Sequence, residues 1–517
     1  MSTIKNWNFF WENRKDFQLG HIPTEQPNIK TQGLAEVAQS SLSTALDMLI
    51  EVDSDALQHA LKYSQKNKHL EKSIHKVLND NGRVFIAGCG ATGRLALTVE
   101  KLWRDIAPDN IKDNVIGIIA GGDAAIIKSI EGFEDHSQYA IRHLQELNFN
   151  KNDLLIGVSE GGETPFVLSC INYAKSITIH KPCLVHCNPT TSLLTVERAK
   201  KIILSRDIDT MSLYIGNMAL AGSTRMQAST ILCLAIGINI INFIKPIEYN
   251  DEIRLILKTL KKIDKKQFIK LIKSEYGAYK NNGLITYQTC KNLGITVLTD
   301  TTERTPTFNT RAFENMNDIL KKPSLCSLRI TNTLNSTEAW HHLLSHPPRT
   351  IEWQHCNIKT GIERLYGYDI SDQGYRLRCQ NFPNYQHHPF KISHDDEKNI
   401  LKLALLQNNL NIPTDGLSTL SIHMLLKCIL NMHSTLVMGL LEKYHSNIMT
   451  FVIPGNNKLI DRAIRHSCTL LNQKNITCDY DHVAKTLYYV SKTLLPEESI
   501  VLKTVEHFQK NVTRDSI

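Results

Sequence analysis

Three turns rich in glycine and hydroxyl residues could bind an anion in this sequence. They are GCGATGR (88–94), SEGGETP (159–165) and GSTR (222–225), and each lies between an apolar run and a helical pattern. Free N–H groups and the helix dipole at a helix start favour a dianion such as a phosphate. One such turn is usually an ordinary helix cap, but three at one sheet edge predict a phosphate site. Its predicted binding residues are Gly90, Thr92, Gly93, Ser159, Gly161, Thr164, Ser223 and Thr224.

The residues around the first turn argue against a nucleotide. No G-x-G-x-x-G there leads through a further strand to an acid that could bind a ribose, and no G-x-x-x-x-G-K-[ST] occurs. A phosphate without a nucleotide is therefore the simpler prediction. We expect a sugar phosphate.

The elements that must position these turns alternate between strand and helix. Short apolar runs predict buried strands, each followed by a helical pattern: RVFIAGCG, NVIGIIAGGD, DLLIGVSEGGETP, KPCLVHCNP and KIILS. Such alternation predicts a doubly wound parallel sheet, which binds ligands at the carboxyl ends of its strands. A strongly apolar helix that begins near Ser223 closes this unit.

A second copy of the pattern begins at residue 283. GLITYQTC is its first predicted strand, SLCSLRITN, RTIEW and YRLRCQN are later ones, and SIHMLLKCILNMHSTLVMGLLEKY is its closing helix. This repetition indicates a degenerate internal duplication. We therefore predict an α/β fold with two tandem doubly wound, flavodoxin-like units. The predicted parts are a helical segment 1–80, a first domain 81–245, a helical connector 246–280, a second domain 281–446 and a small helical region 447–517.

Composition and charge fit a soluble globular protein. The 517 residues carry a net charge of +8, and 42% of them are hydrophobic. The amino terminus has no apolar signal segment, and no run of 18 apolar residues occurs. We therefore predict a cytoplasmic protein without a membrane segment.

Other clusters of charged or metal-binding residue types favour structural interpretations. Lysines in residues 251–275 alternate with apolar residues at helical spacing, which favours a solvated helix face over a nucleic-acid site. Cys183, His186 and Cys187 could bind a metal by spacing, but KPCLVHCNP alternates like a buried strand. The remaining histidine cluster, which is predicted to lie in a solvated loop, consists of His387, His388 and His394. No metal or other cofactor is predicted.

Several of these motifs together resemble the sugar-isomerase (SIS) domain family. GCGATGRLAL, IIAGGDAAIIKSIEGFEDH, GVSEGGETPFV and LAGSTRMQAST are similar to segments of the N-acetylmuramic acid 6-phosphate etherases and their relative, glucokinase regulatory protein. The resemblance runs from TEQPNIKTQGLAEV to about residue 241 and resumes in LKCILNMHSTLVMGLLEKYHSNIMTFVIPGNNKLIDRAIR. The resemblance does not extend to residues 310 to 415. The resemblance implies SIS units that bind a sugar 6-phosphate.

The resemblance also implies a catalytic acid, which the first unit lacks. In the etherases, the helix after the glycine loop carries a glutamate in a motif like D-A-S-E-x-x-P-T-F. Nine residues after Gly93 this chain has Leu102, whereas the second unit contains DTTERTPTF, with Glu303 nine residues after Gly294. The acid is therefore expected from the second unit, which in turn lacks the glycine loop.

The closing helices differ in the same complementary way. The lysine that the resemblance implies ten residues after Ser223 is Cys233 here, and the second unit has Lys427 instead. The resemblance implies that a fusion of two subunits, a monomeric pseudo-dimer, needs only one composite site. In that site the first unit would bind the phosphate and supply Glu134 of EGFED, and the second would supply Glu303 and Lys427.

Such a site implies a lyase that acts on N-acetylmuramic acid 6-phosphate and releases D-lactate and N-acetylglucosamine 6-phosphate. A base removes the proton beside the sugar carbonyl, an acid protonates the departing ether oxygen, and water then adds back. The resemblance assigns Glu134 as the base and Glu303 as the acid. Two alternatives stay open: a non-catalytic sensor like glucokinase regulatory protein, which would bind a sugar kinase, and an aldose-ketose isomerase.

Overall fold

The computed structural model describes residues 4, 7–130, 132–319 and 322–515. The chain begins with four helices: α1 (Trp7–Asn13), α2 (Leu34–Ser40), α3 (Leu42–Ala60) and α4 (Ser64–Asn79). In α3, Leu42, Leu46 and Leu49 recur at helical spacing and are buried, so one face of the helix packs on the core.

The first unit contains a parallel sheet. Its strands are β1 (Val84–Gly88), β2 (Val115–Ile119), β3 (Leu154–Val158), β4 (Cys183–His186) and β5 (Asp209–Ser212), in the order β2-β1-β3-β4-β5. Its helices are α5 (Ala91–Ile106), α6 (Ser137–Glu146), α7 (Pro165–Ile177), α8 (Thr190–Leu193), α9 (Glu197–Ile203) and α10 (Gln227–Ile241). Gly88 pairs with Ile119 and Ala87 with Gly157, so the turns after β1, β2 and β3 lie at one edge. The strands predicted at β1 to β4 are confirmed.

The second unit repeats this order after two connecting helices, α11 (Tyr249–Leu260) and α12 (Lys265–Lys280). Its strands are β6 (Gly283–Thr289), β7 (Cys326–Ile330), β8 (Gln386–Asp395), β9 (Ile400–Leu405) and β10 (Asn408–Pro413). Its helices are α13 (Lys291–Phe308), α14 (Ser336–Leu344), α15 (Asn357–Thr360), α16 (Ile362–Tyr366), α17 (Asp372–Asn381) and α18 (Thr419–Leu440). Three further helices follow: α19 (Asn457–Gln473), α20 (Tyr480–Ser491) and α21 (Ile500–Asp515).

The second sheet is mixed rather than parallel throughout. β6 pairs in parallel with β7 and β8, but β9 and β10 form an antiparallel meander with β8, in the order β10-β9-β8-β6-β7. The prediction of two tandem α/β units is confirmed. The antiparallel extension lies in residues 310 to 415, where no resemblance guided the interpretation.

Four local predictions were wrong. KIILS lies largely in α9. The fifth strand is the more polar segment DTMS, which is only partly buried at the edge of the sheet. YRLRCQN belongs to α17, whose start is capped by Ser371. RTIEW pairs with neither sheet and contacts the first unit instead. The histidines of HHPFKISHD, which were predicted to lie in a solvated loop, lie on β8. This strand is half exposed, and such strands alternate polar and apolar side chains.

Equivalent helices of the two units pack against each other. α5 contacts α13, α10 contacts α18, and one continuous apolar core includes residues from both units. By length and composition α18 could cross a membrane, but it is buried inside the fold and is a core helix. The pairing of equivalent helices makes the chain a pseudo-dimer.

Candidate functional site

The first turn presents open backbone at Gly90. This residue has φ +57° and ψ −119°, which a side chain would strain. Apart from its chain neighbours, no residue that the structure describes lies within 4 Å of the position its Cβ would take. Gly93 serves packing, because a Cβ there would lie 2.4 Å from Ile119 Cγ1. The Thr92 hydroxyl stays within the turn, where it is 3.0 Å from both the N and the O of Cys89.

The second turn brings two predicted hydroxyls together at the start of α7. Ser159 Oγ lies 2.8 Å from Thr164 Oγ1 and accepts a hydrogen bond from Gly162 N at 2.9 Å. The carbonyl of Gly161 accepts a hydrogen bond from Asn188 Nδ2 at 3.0 Å. The hydroxyl pair thus lies at the N-cap of α7, and helix starts are positions where proteins bind anions.

The third turn contains a hydroxyl without a partner. Ser223 Oγ is buried and makes no hydrogen bond to any residue that the structure describes. Thr224 is half-buried, and its carbonyl accepts a hydrogen bond from Ser229 N at 3.1 Å. Because buried hydroxyls in folded proteins nearly always have partners, Ser223 is a candidate ligand contact.

Glu134 is bound by the carboxyl-terminal helices. Asn456 Nδ2 donates to Glu134 Oε2 at 2.9 Å, and Lys458 Nζ lies 3.1 Å from Glu134 Oε1. Burial lowers the pKa of Lys458, but the carboxylates of Glu134 and Glu163 outweigh that effect and hold the pKa above its ordinary 10.5. The Glu134 carbonyl also accepts a hydrogen bond from Phe166 N at 3.0 Å, which fixes it beside the second turn.

Glu303 reaches the first unit from α13. Its Oε1 lies 2.6 Å from Nη1 of Arg94, a side chain only 1% exposed, at the end of the first turn. Arg94 Nε also donates to Ile126 O at 2.7 Å. The equivalent positions in the opposite direction are Ile295 and Leu102, which are both buried and apolar. The Arg94–Glu303 ion pair therefore has no counterpart at the equivalent pair of positions, Ile295 and Leu102.

Lys427 links α18 to the third turn. Its Nζ donates to Arg225 O at 2.6 Å, to Thr230 Oγ1 at 2.9 Å and to Asn431 Oδ1 at 3.0 Å. Burial lowers its pKa. Because these protein groups occupy its donors, Lys427 positions the chain after Ser223, and a ligand would have to displace one of these contacts to reach it.

A cavity between the units adjoins Gly90 and Glu134, whereas the predicted residues of the second and third turns, Glu303 and Lys427 lie outside its lining. It is lined by Cys89, Gly90, Arg94 and Glu134 of the first unit, by Thr305 and Pro306 of the second, and by Gly455 and Asn456 of the carboxyl-terminal region. Both units and the terminal region thus contribute to one surface beside the first turn.

The sequence interpretation missed Arg94 and Asn456, which line this cavity, Lys458, which pairs with Glu134, and the buried Glu160 of the second turn. Arg94 and Glu160 stand inside the turns that were singled out, so a charge in a glycine-rich turn was a usable signal. Asn456 caps α19, where its side chain accepts from Leu459 N. Nothing local to residues 456–458 indicates that α19 lies against Glu134.

A family model and a solved structure match this chain. The family model described as the glucokinase regulatory protein N-terminal SIS domain matches residues 68–175. Among solved structures, the C-terminal domain of glucosamine-fructose-6-phosphate aminotransferase from Francisella tularensis aligns with 76% of this chain and 95% of its own, at 12% identity and a TM-score of 0.42.

Curated relatives named N-acetylmuramic acid 6-phosphate etherase match over a longer span. The relative from a Geobacillus species is 31% identical over 218 residues, which cover 41% of this chain and 67% of the relative. The one from Prochlorococcus marinus is 31% identical over 238 residues, or 46% of this chain and 70% of the relative. With its two α/β units, its glycine turns and these matches, the chain belongs to the SIS-domain family of the N-acetylmuramic acid 6-phosphate etherases and glucokinase regulatory protein.

Proposed function

We propose that this chain binds a sugar 6-phosphate in the cavity between its units and cleaves the lactyl ether of N-acetylmuramic acid 6-phosphate. The observation that carries the proposal is that one cavity has Glu134 and Arg94, the partner of Glu303, in its wall. Glu134 of the first unit thus lines the cavity directly, and Glu303 of the second unit is linked to it through Arg94, beside the open backbone of the first turn.

The proposed reaction needs a base beside the sugar carbonyl. Glu134 suits this role because Lys458 and Asn456 hold its carboxylate at the cavity wall. The open backbone at Gly90 and the hydroxyls of Ser159, Thr164 and Ser223 would anchor the phosphate and orient the sugar. D-lactate and N-acetylglucosamine 6-phosphate are the expected products.

A second candidate is a sensor that binds the same ligand without turning it over and controls a sugar kinase. The observation that favours it is the ion pairing of both predicted catalytic carboxylates, Glu134 with Lys458 and Glu303 with Arg94. Each carboxylate already has a partner in the fold, and a substrate would have to displace that partner to reach it. The match to the glucokinase regulatory protein domain supports the same candidate.

Lactate release tests the proposal. The full chain is incubated with N-acetylmuramic acid 6-phosphate, and D-lactate is measured for the wild type, Glu134→Gln and Glu197→Gln. Loss of the base is expected to lower the rate about 10²- to 10⁴-fold. Glu197 is exposed at the start of α9 and is the matched control, with an unchanged rate expected. Ligand binding without lactate from the wild type would reject the lyase and favour the sensor.

A further inference from the structure

The loop between β2 and α6 forms one wall of the cavity between the units. Lys128, Ser129, Ile130 and Glu134 of this loop all line the cavity. Lys128 is exposed, and its side chain makes no hydrogen bond or ion pair with any residue that the structure describes. Because an ammonium group offers three donors, this lysine is available to an anionic ligand.

The other cation among the described lining residues is already paired. Arg94 Nη1 lies 2.6 Å from Glu303 Oε1, and the Arg94 side chain is only 1% exposed. The acid of the second unit that responds to Lys128 is Asp318. Its pKa is lowered by a hydrogen bond from Arg364, at 2.6 Å, and to a smaller extent by the charge of Lys128. Asp318 therefore has its own cation, and Lys128 is the unpaired cation among the described residues of the wall.

Apolar side chains flank Lys128 in this wall. Ile127 and Ile130 lie on either side of it in the chain and line the same cavity. Phe133, which follows them, also lines the cavity, and both Ile127 and Phe133 are buried. The wall therefore presents one ammonium group beside apolar surface. A small group that carries a carboxylate next to a methyl group matches this pattern.

The substrate of the proposed function carries such a group. Its lactyl ether ends in a carboxylate, and the carbon between the ether oxygen and the carboxylate bears a methyl group. N-acetylglucosamine 6-phosphate, the expected product, has a hydroxyl group in that place and keeps only the phosphate as an anion. Because substrate and product share the phosphate, a contact with the lactyl carboxylate is what would separate their affinities.

On the basis of the function proposed above, we propose that Lys128 binds the lactyl carboxylate and thereby distinguishes the substrate from its product. The Lys128 ammonium donates charge-assisted hydrogen bonds to the carboxylate, and Ile127 and Ile130 contact the methyl group. Glu134 lies on the same loop, so one segment positions both the base and the group that leaves. Glu303 keeps the part that the family resemblance implies.

Calorimetric titration of the full chain with two ligands tests this assignment. N-acetylmuramic acid 6-phosphate is titrated into chains that carry Glu134→Gln, which stops turnover, and N-acetylglucosamine 6-phosphate is the ligand without the carboxylate. Lys128→Met is expected to weaken binding of the former about tenfold or more and to leave binding of the latter unchanged, because only the former has the lactyl group. Lys128→Arg, which keeps a cation, is expected to retain most of the preference.

A lysine on another part of the surface provides the matched control. Lys68 is exposed on α4 and does not line the cavity, so Lys68→Met should change neither affinity. With Glu134 intact, D-lactate release gives a second readout. Lys128→Met is expected to raise KM for N-acetylmuramic acid 6-phosphate about tenfold or more, with a smaller change in kcat.

The other outcomes have distinct meanings. Equal loss of affinity for both ligands in Lys128→Met would overturn the assignment, because Lys128 would then serve the phosphate or the fold. Unchanged affinity for both ligands would overturn it as well. A wild type that releases no D-lactate but prefers N-acetylmuramic acid 6-phosphate through Lys128 would reject the lyase and uphold recognition of the lactyl group. D-lactate release with an unchanged KM in Lys128→Met would uphold the lyase and reject this role of Lys128.

Discussion

At the scale of single residues, the carboxyl groups of the site differ in their partners rather than in their type. Glu134 and Glu303 were predictable because each stands in a recognisable motif. Their partners were not predictable: Lys458 is 324 residues from Glu134, and Arg94 is 209 residues from Glu303. Whether a glutamate is paired or free depends on such distant contacts, so the sequence indicated the acids but could not divide their roles.

Burial of Glu160 predicts a pH-dependent cost in stability. Because the pKa is about 7 in the fold and near 4.5 in the unfolded chain, the unfolded state ionises first. The free energy of unfolding therefore falls as the pH rises from about 4.5 to about 7, and the cost persists above that range. The rise in pKa corresponds to about 3 kcal/mol.

Glu160→Gln removes this cost. The free energy of unfolding of the variant minus that of the wild type is expected to be about 3 kcal/mol larger at pH 8 than at pH 4.5. Urea denaturation at the two pH values measures this change. Equal differences at both pH values would show that the Glu160 carboxyl is not held in its protonated form.

At the scale of elements, buried parallel strands were the easiest to predict. Every residue of β1, β2 and β3 is buried, so each strand is a continuous apolar run. β8, β9 and β10 expose one face, and their mixed sequence gave no such signal. RTIEW was misread because its apolar residues, Ile351 and Trp353, pack on the first unit without joining a sheet.

Two glycines of the first turn predict opposite effects of alanine. Gly93→Ala places a methyl group 2.4 Å from Ile119 and is expected to cost about 1–3 kcal/mol of stability. Gly90→Ala places its methyl group away from the described residues beyond its chain neighbours but strains the backbone, so the turn must change its shape. It is expected to weaken binding of N-acetylglucosamine 6-phosphate more than Gly93→Ala does. Urea denaturation and calorimetric titration separate the two effects, and equal affinities would show that the Gly90 backbone does not face the ligand.

At the scale of the whole molecule, hydrogen bonds join the two units in addition to their apolar packing. Arg349 of the second unit and Asp123 of the first form two hydrogen bonds: Arg349 N donates to the Asp123 side chain at Oδ2 at 2.7 Å, and Asp123 N donates to Arg349 O at 3.1 Å. Nearby, the ring of Trp353 stacks on Phe133, the neighbour of Glu134, at 5.8 Å. The second unit thereby supports the segment that carries the proposed base. Sequence comparison of the two units predicted the duplication but not these contacts.

Calorimetric titration of the full chain with N-acetylglucosamine 6-phosphate tests the claim of one composite site most directly. We predict one ligand per chain, because the position equivalent to the Arg94–Glu303 pair holds Ile295 and Leu102. Lys458→Met, which removes the cation beside Glu134, should weaken that single binding event by about tenfold or more. Two ligands per chain, or a binding event of full affinity in Lys458→Met, would contradict the account.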